Sequence, residues 1–532
     1  MDLPQGKAEV VHEEGKNGAQ HIANDVEKVE VQEQATPALK LDKHGLPLLP
    51  QPTDRKDDPL NWSPALKLFV ALQVSLLAFL GPMAGAIVNP AFVPLSKEFH
   101  ITVVQASYEL TVYIVFAGIG PILTVPLANV YGRRPVYLLG NLLAAVTNIG
   151  AGYCNTWTGI MVTRAFNGIG AGSPGAIGAA TICDMYFLHE RGFYMGIFTF
   201  FLTNGPHAAS LFGGFIAQNL GWRKCFLIPG YIQLGLVVFQ LFALPETLFS
   251  RRANANLNRP ERSFKDLLLF KQSGVQARRL RPIDFLHPFY MLKYVAITIP
   301  GLYYMTAFGF GSVMFAATGS QLFRSLYHFN VAQTGMLLSI PLLIGCLIGE
   351  MNAGWLTDWF VYRWARKHGG RREPEPRINA IVLAFLCPLG IILDGVFLSH
   401  HKTVSWVGAA FAMGIANCGL QIATTVVYTY CTDCYKPQST EISSMLNVFR
   451  SIFSMTLSFY AGLSIREAKK LTQAFLANNS IPFGEKVQFQ YAWLTFAMIH
   501  IAFLIPMVLL RFKGEQWRNS SWQKPPTFHN DL

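Results

Sequence analysis

Among the ionisable side chains inside runs too apolar to hydrate them, Glu109, Arg164, His207 and Arg450 are candidates for chemistry. A charge at the centre of a bilayer costs at least about 2.5–3.5 kcal/mol on insertion scales unless it faces a cavity and finds partners. Arg164 lies well inside its run and should face a cavity. It acts there either as a proton-linked or solute-orienting charge, or as a brace on backbone carbonyls. Glu109 enters its own run at a level that allows a Glu109–Arg164 pair. A carboxyl so placed can exchange a proton for a cation, the step a proton-coupled carrier needs; the other reading is a Glu solvated at the membrane surface. Asn204 and His207 are three residues apart and share one helix face. An intramembrane His is a candidate for proton handling, and equally for a hydrogen-bonded packing role. Tyr303, Tyr304, Asn417 and Gln421 offer aromatic faces and amides that suit an amphipathic or cationic ligand in a cavity; core packing explains such residues as well. Arg450, with Asn447 one turn earlier, either braces its helix or senses charge in the cavity.

These residues need long helices to hold them. Of 532 residues, 51% are hydrophobic and only 14% charged, against roughly 25% charged in a soluble domain, so water is not the main solvent. Runs of the ~20 apolar residues that span a bilayer occur at 66–88, 107–128, 136–154, 158–183, 193–217 and 225–244, and again at 294–317, 331–354, 378–399, 404–430, 442–464 and 488–510. The expected fold is an all-α membrane protein with twelve transmembrane helices in two six-helix blocks. The fourth and tenth runs are the least clean, because Asn167, Ser173, Asn417, Gln421, Thr424 and Thr425 interrupt them, as expected where a helix faces other helices or water.

The expected division is a disordered cytoplasmic tail over 1–65, one bundle over 66–244, a cytoplasmic linker over 245–293, a second bundle over 294–510 and a tail over 511–532. The first 65 residues hold no apolar run, so insertion starts at an internal helix. With both termini inside, the cytosolic loops hold 20 Lys and Arg and the outer loops nine, the excess that marks the cytosolic side. The sequon at Asn478 then falls outside, as a glycosylation site. The net charge of +12 is spread between spans and not gathered on a soluble domain, which speaks against nucleic acid. The pair Cys431 and Cys434 has no His or further Cys nearby, so neither metal nor cofactor is expected.

The loop after the second run reads Leu127-Ala128-Asn129-Val130-Tyr131-Gly132-Arg133-Arg134-Pro135, and that after the eighth begins Gly354-Trp355-Leu356-Thr357-Asp358. Asn129 and Asp358 hold equivalent places 229 residues apart, which duplication of a six-helix unit explains most simply. These loops resemble the Gly-x-Leu-Ala-Asp-Arg-x-Gly-Arg-Arg pattern of the major facilitator superfamily. Arg164-Ala165-Phe166-Asn167-Gly168-Ile169-Gly170 is similar to its Arg-x-x-Gln-Gly-x-Gly motif. Asp184, Glu190-Arg191-Gly192, Gly221-Trp222-Arg223 and Leu244-Pro245-Glu246-Thr247 follow in the order of fungal drug:proton antiporter-like members. Asp57-Asp58-Pro59-Leu60-Asn61-Trp62-Ser63 and Glu373-Pro374-Glu375 also resemble fungal members, including a polyamine and organic-cation subgroup. Asn129 replaces the family's Asp, and Ala209-Ser210 replace a Gly-Pro pair of the antiporter pattern on the fifth helix.

The resemblance implies two pseudo-symmetric bundles that rock about a central cavity, and a cytoplasmic gate in which Arg133 and Arg134 meet Asp184, with Asn129 and Asp358 in the same two loops. It also implies a secondary carrier, monomeric and not an enzyme, that moves a small organic solute (drug-like, metabolite or organic cation) with protons, at the plasma membrane. No nucleotide-binding Gly-x-x-x-x-Gly-Lys-Ser/Thr pattern occurs, so an ion gradient must drive it. The alternative of another class is a nutrient sensor on a carrier scaffold, and a channel comes third. Flux in proteoliposomes with an imposed pH gradient separates the three: a sensor moves nothing, and a channel passes solute without proton coupling.

Overall fold

Helix starts follow from the side chains that meet their free N–H groups. Ser63 accepts from Leu66 N and is followed by Pro64 in the first turn of α1 (Pro64–Ala86). Thr102 and Gln105 cap each other's backbone at the start of α2 (Val103–Tyr131), the reciprocal box that satisfies two donors at once. Gly132, at φ +103°, turns the chain in one residue from α2 into α3 (Arg133–Tyr153), a conformation open mainly to glycine. Thr156 caps α4 (Trp157–Met185), and α5 (Arg191–Leu220) passes through Gly221 into α6 (Trp222–Ala243).

The second half repeats the plan. Helix α7 runs from Val295–Phe308 through a π turn at Gly309–Val313 into Met314–Tyr327. A short helix, Val331–Leu337, leads into α8 (Ile340–Lys367). Helix α9 starts with 3₁₀ winding over Glu375–Phe385 and continues over Leu386–Ser399. Then come α10 (Trp406–Cys434), α11 (Ser439–Gly462) and α12 (Phe489–Arg518). The computed structural model describes residues 48–249, 280–369, 373–462 and 489–520, with single positions 40, 266, 268, 523, 526 and 528. Asn478 and most of the expected tail and linker lie outside the described residues.

Leu48–Leu532 form one unit, and its packing is pseudo-symmetric. Helix α2 packs on α4, α3 on α4 and on α6; α8 packs on α10, α9 on α10 and on α12. Between the halves, α5 lies on α8 and α2 on α11. Among the described residues, eight helices are long and apolar enough to cross a membrane by length and composition. The four others among the twelve are α4, α5, α7 and α11. The tenth, in spite of its amides and threonines, meets the test; the seventh fails because the π turn divides it into two 14-residue pieces. All four helices that fail contribute to the wall of the cavity described below, so their polar and small residues face neighbours and solvent space instead of lipid.

The ordered part begins upstream of the boundary that hydropathy sets at 65. Asp58 accepts from Thr53 N, Thr53 Oγ1 and Leu60 N, so that Pro59–Asn61 forms a turn with Leu60 and Trp62 buried. At the other end α12 continues past 510 to Arg518, which pairs with Glu373 at 2.6 Å. Charged residues are absent from a hydropathy run but not from a helix, which explains both differences.

Close approach of α2 and α4 depends on glycine. A Cβ on Gly120 would stand 2.5 Å from the Ile169 carbonyl oxygen, whereas one on Gly235 would meet nothing within 4 Å. Gly120→Val should therefore lower stability by about 1–3 kcal/mol or more through overpacking, and Gly235→Val should change it by no more than about 0.5 kcal/mol. Thermal melting of the two purified variants checks this ranking.

Candidate functional site

A cavity lies between the halves, enclosing about 730 Å³ of non-atom space when open solvent is counted and about 70 Å³ where the centre of a water molecule fits. Its wall combines α1, α2, α4 and α5 with α7 and α11: Asn89 follows α1, Leu110 and Tyr113 belong to α2, Phe308 and Ser312 to α7 and its π turn, and Arg450 to α11. Arg450 is the candidate that sequence reasoning placed in a cavity and that lines this one. Tyr303, Tyr304, Asn417 and Gln421 do not. Tyr303 is fully buried and stacks on His500 at 5.0 Å; Tyr304 sits edge-on to Tyr428; Asn417 and Gln421 are fully buried on α10. Helical spacing alone cannot say which side of a buried helix meets empty space.

Behind Tyr113 stands the deepest polar cluster. Arg164 Nε donates to Glu109 Oε2 at 2.5 Å, with both side chains fully buried. Arg164 Nη1 donates to Asn148 Oδ1 and Asn167 Oδ1, and Nη2 to the carbonyls of Ala84 and Gly85 at 3.1 and 2.7 Å. Those carbonyls belong to the last turn of α1, where helical partners run out and the dipole favours a cation. Asn148 in turn donates to Gln233 Oε1 of α6. One guanidinium thus ties five of the six helices of the first half. Because breaking a buried pair strands its partner, Arg164→Met should cost about 3–5 kcal/mol. Adding Glu109→Leu should return most of that loss in thermal melting; an undiminished loss would assign the stability to the α1 carbonyls.

At the end of the bundle that carries the α2–α3 turn, the end assigned to the cytosol by loop charge, the expected gate divides in two. Arg133 pairs with Asp184 at 2.9 Å. Arg134 does not meet Asp184: its Nη2 donates to Leu241 O at 2.6 Å, and Glu246 accepts from the backbone N–H of both arginines. These groups belong to α3, α4, α6 and the chain after it, so these contacts brace one half. Asn129 and Asp358 do cross. Asn129 Nδ2 donates to Glu441 Oε1 of α11 at 2.7 Å. Asp358 accepts from Gly192 N and Phe193 N in the first turn of α5.

Three further residues complete this crossing. Arg191 of α5 pairs with Asp433 of α10 at 2.5 Å; Arg377 of α9 pairs with Asp433 and with Asp358, each at 2.6 Å. Arg377 also donates to Leu188 O at 3.1 Å. Sequence reasoning missed Arg377, Asp433 and Glu441. Asp433 lies inside the Cys431-Cys434 pair, whose thiols are free, and the acid there is what has a partner.

A fourth missed residue lies deeper on the α5–α8 interface. Glu350 of α8 accepts from Thr425 Oγ1 and Gln421 Nε2 of α10 at 2.6 and 2.7 Å, and Thr425 meets Thr199 of α5 at 2.9 Å. A Cβ on Gly196 of α5 would collide with Glu350 Oε1. Among the described residues Glu350 makes no ion pair. A carboxylate within the eighth apolar run was the available signal. Asn204 and His207 lie nearer the opposite end of α5, buried; Asn204 donates to Phe200 O, and His207 lies against Asn417.

Comparison with known proteins agrees with this geometry. The chain matches the Major Facilitator Superfamily over residues 74–458. It is 28% identical over 447 residues to the MFS transporter cpaT of Aspergillus oryzae, covering 81% of this chain and 89% of the relative. It is 26% identical over 425 residues to the efflux pump radE of Floropilus chiversii, covering 77% of each. Among solved structures, the proton:xylose symporter XylE superposes with a TM-score of 0.58 at 14% identity, covering 84% of this chain and 96% of that one. At that identity the likeness concerns the fold. The chain belongs to the Major Facilitator Superfamily, in a branch like that of fungal efflux carriers, and is a multi-pass membrane transporter and not an enzyme.

Proposed function

We propose that this protein is a monomeric secondary carrier that moves an amphipathic organic solute by alternating access, coupled to protons, with both termini in the cytosol and the plasma membrane as its place. The observation that carries the reading is a division of labour along the bundle. The polar crossings of Arg191, Asp433, Arg377, Asp358, Asn129 and Glu441 join the halves at one end. The cavity, lined by the last turns of α1 and the first of α2, occupies the other half of the thickness. Closure on one side of a site walled by both halves is what rocking carriers require.

For the proton, Glu350 is a better candidate than Glu109. Glu109 is held by Arg164 within one half. Glu350 lies between helices of different halves, and the nearest basic groups on the elements packed around it are engaged elsewhere: Arg191 with Asp433, Arg377 with Asp358 and Asp433. Its own helix adds Cys346 and Asp358, and α5 adds His207 further along. A carboxyl with hydroxyl and amide donors but no cation can be neutral in one state and ionised in another.

Two measurements test the reading. Purified protein in proteoliposomes, given radiolabelled aromatic acids, amines and neutral amphiphiles, should accumulate or expel at least one of them under an imposed pH gradient; a chain that moves none is a sensor. Glu350→Gln should keep downhill exchange of that solute and lose most of its acceleration by the gradient, by about tenfold or more. An unchanged response to the gradient removes Glu350 from the mechanism.

A further inference from the structure

Four arginines inside the bundle pair with acids: Arg133 with Asp184, Arg164 with Glu109, and Arg191 and Arg377 with Asp433. Arg450 is different. Its guanidinium lies over the Phe308 ring, 4.8 Å from the centroid. Tyr113, Tyr304 and Tyr428 also surround it. Among the described residues it makes no ion pair, and its Nη1 is buried with no hydrogen-bond partner. Among the described residues it is also the one Arg, Lys, Asp, Glu or His in the wall of the cavity.

Its neighbours extend the pattern. Ser454, one turn along the same face of α11, lines the cavity and has a buried hydroxyl without a partner. Ser312, in the π turn of α7, lines it as well. Such turns interrupt helices most often at functional sites. The rest of the wall is mainly apolar, with Leu110, Ile114, Leu202 and Val313.

A guanidinium in a low-dielectric wall lacks the water that would screen it, and its planar fork fits a carboxylate in two parallel hydrogen bonds. A cation entering the same space meets a like charge with no acid to offset it. We infer that Arg450 and Ser454 anchor the acidic headgroup of the transported solute, so that the cavity selects amphipathic organic acids over organic cations. This deepens the carrier reading above and reverses the organic-cation expectation drawn from the sequence. The headgroup is held by Arg450 Nη1 and the Ser454 hydroxyl, and the apolar body lies along the α2 and α5 side of the wall.

The test is binding, which does not require flux. Full-length protein purified in detergent is melted with increasing 4-phenylbutyrate, 4-phenylbutylamine or 4-phenylbutanol, three ligands that share one apolar body. The acid should raise the melting temperature at lower concentration than the alcohol, and the amine should be weakest. Arg450→Gln should weaken the acid by about tenfold or more, the loss expected for a charged hydrogen bond. Arg450→Lys keeps the charge, guards against a folding defect, and should keep the acid ahead of the amine. Equal stabilisation by the amine, no stabilisation by the acid, or an unchanged affinity in Arg450→Gln overturns the inference. If the acid binds through Arg450 yet nothing moves in proteoliposomes, the carrier reading fails and the anion site stands.

Discussion

A guanidinium buried in a bilayer must be given acceptors, and the way this chain meets that demand organises the whole bundle. At one end Arg191 of α5 meets Asp433 of α10, Asp433 meets Arg377 of α9, Arg377 meets Asp358 of α8, and Asp358 returns to the first turn of α5. The circuit passes through both halves and closes on itself. Each acid in it serves at least two donors, so loss of any member leaves another buried charge less satisfied, which costs more than the contact itself. Four helices are therefore positioned together, and the inter-half seam is where the circuit is densest.

Pseudo-symmetry predicts the same device at the other seam, and the chain departs from it in an informative way. Asp358 of α8 faces backbone N–H groups of α5, where an acid is wanted. Its counterpart Asn129, at the end of α2, faces the carboxylate of Glu441 at the start of α11. A second acid there would repel Glu441; an amide donates to it, and accepts from Thr440 at 3.2 Å. The acid has moved from one side of the seam to the other. Glu246 meanwhile caps the N-terminus of α3 through the backbone of Arg133 and Arg134. What looks in the sequence like a missing acid is supplied from elsewhere, by Glu441 across the seam and by Glu246 at the start of α3.

Twelve spans, the two-block division and the family were legible because hydropathy over a bilayer thickness and loop arginines are local properties. Arg164 and Glu109 were legible as a possible pair because charge in an apolar run has few solutions. Tyr303, Tyr304, Asn417 and Gln421 were misplaced for the converse reason: on a helix buried all round, period cannot distinguish a cavity from a neighbouring helix. The partners of Asp358 and Asp433 were illegible because they come from helices far apart in sequence, and Arg134 was assigned to Asp184 although its reach lies toward Leu241. Glu350 had a readable signal, a lone acid among Leu, Ile and Gly, with the conflict at Gly196 visible only in three dimensions.

The two kinds of ion pair must behave differently if the halves rock. The Arg164 cluster lies wholly within α1, α2, α3, α4 and α6, so a rigid-body rotation carries it unchanged. The circuit at the other end cannot survive the same motion intact, because Arg191 and the α5 N–H groups move with one half while Asp433, Arg377 and Asp358 move with the other. Yet separation need not strand every charge. Arg377 keeps both Asp358 and Asp433 within the second half, leaving Arg191 and the first turn of α5 as the groups that water must satisfy. Charge-assisted hydrogen bonds contribute roughly 1.5–3 kcal/mol each, and in this circuit those to Arg191, Gly192 and Phe193, with the Leu188 contact, are the ones exchanged for water. Arg377, by holding two acids at once, keeps the opened half from carrying unpaired carboxylates, which makes the seam separable without being weak when closed.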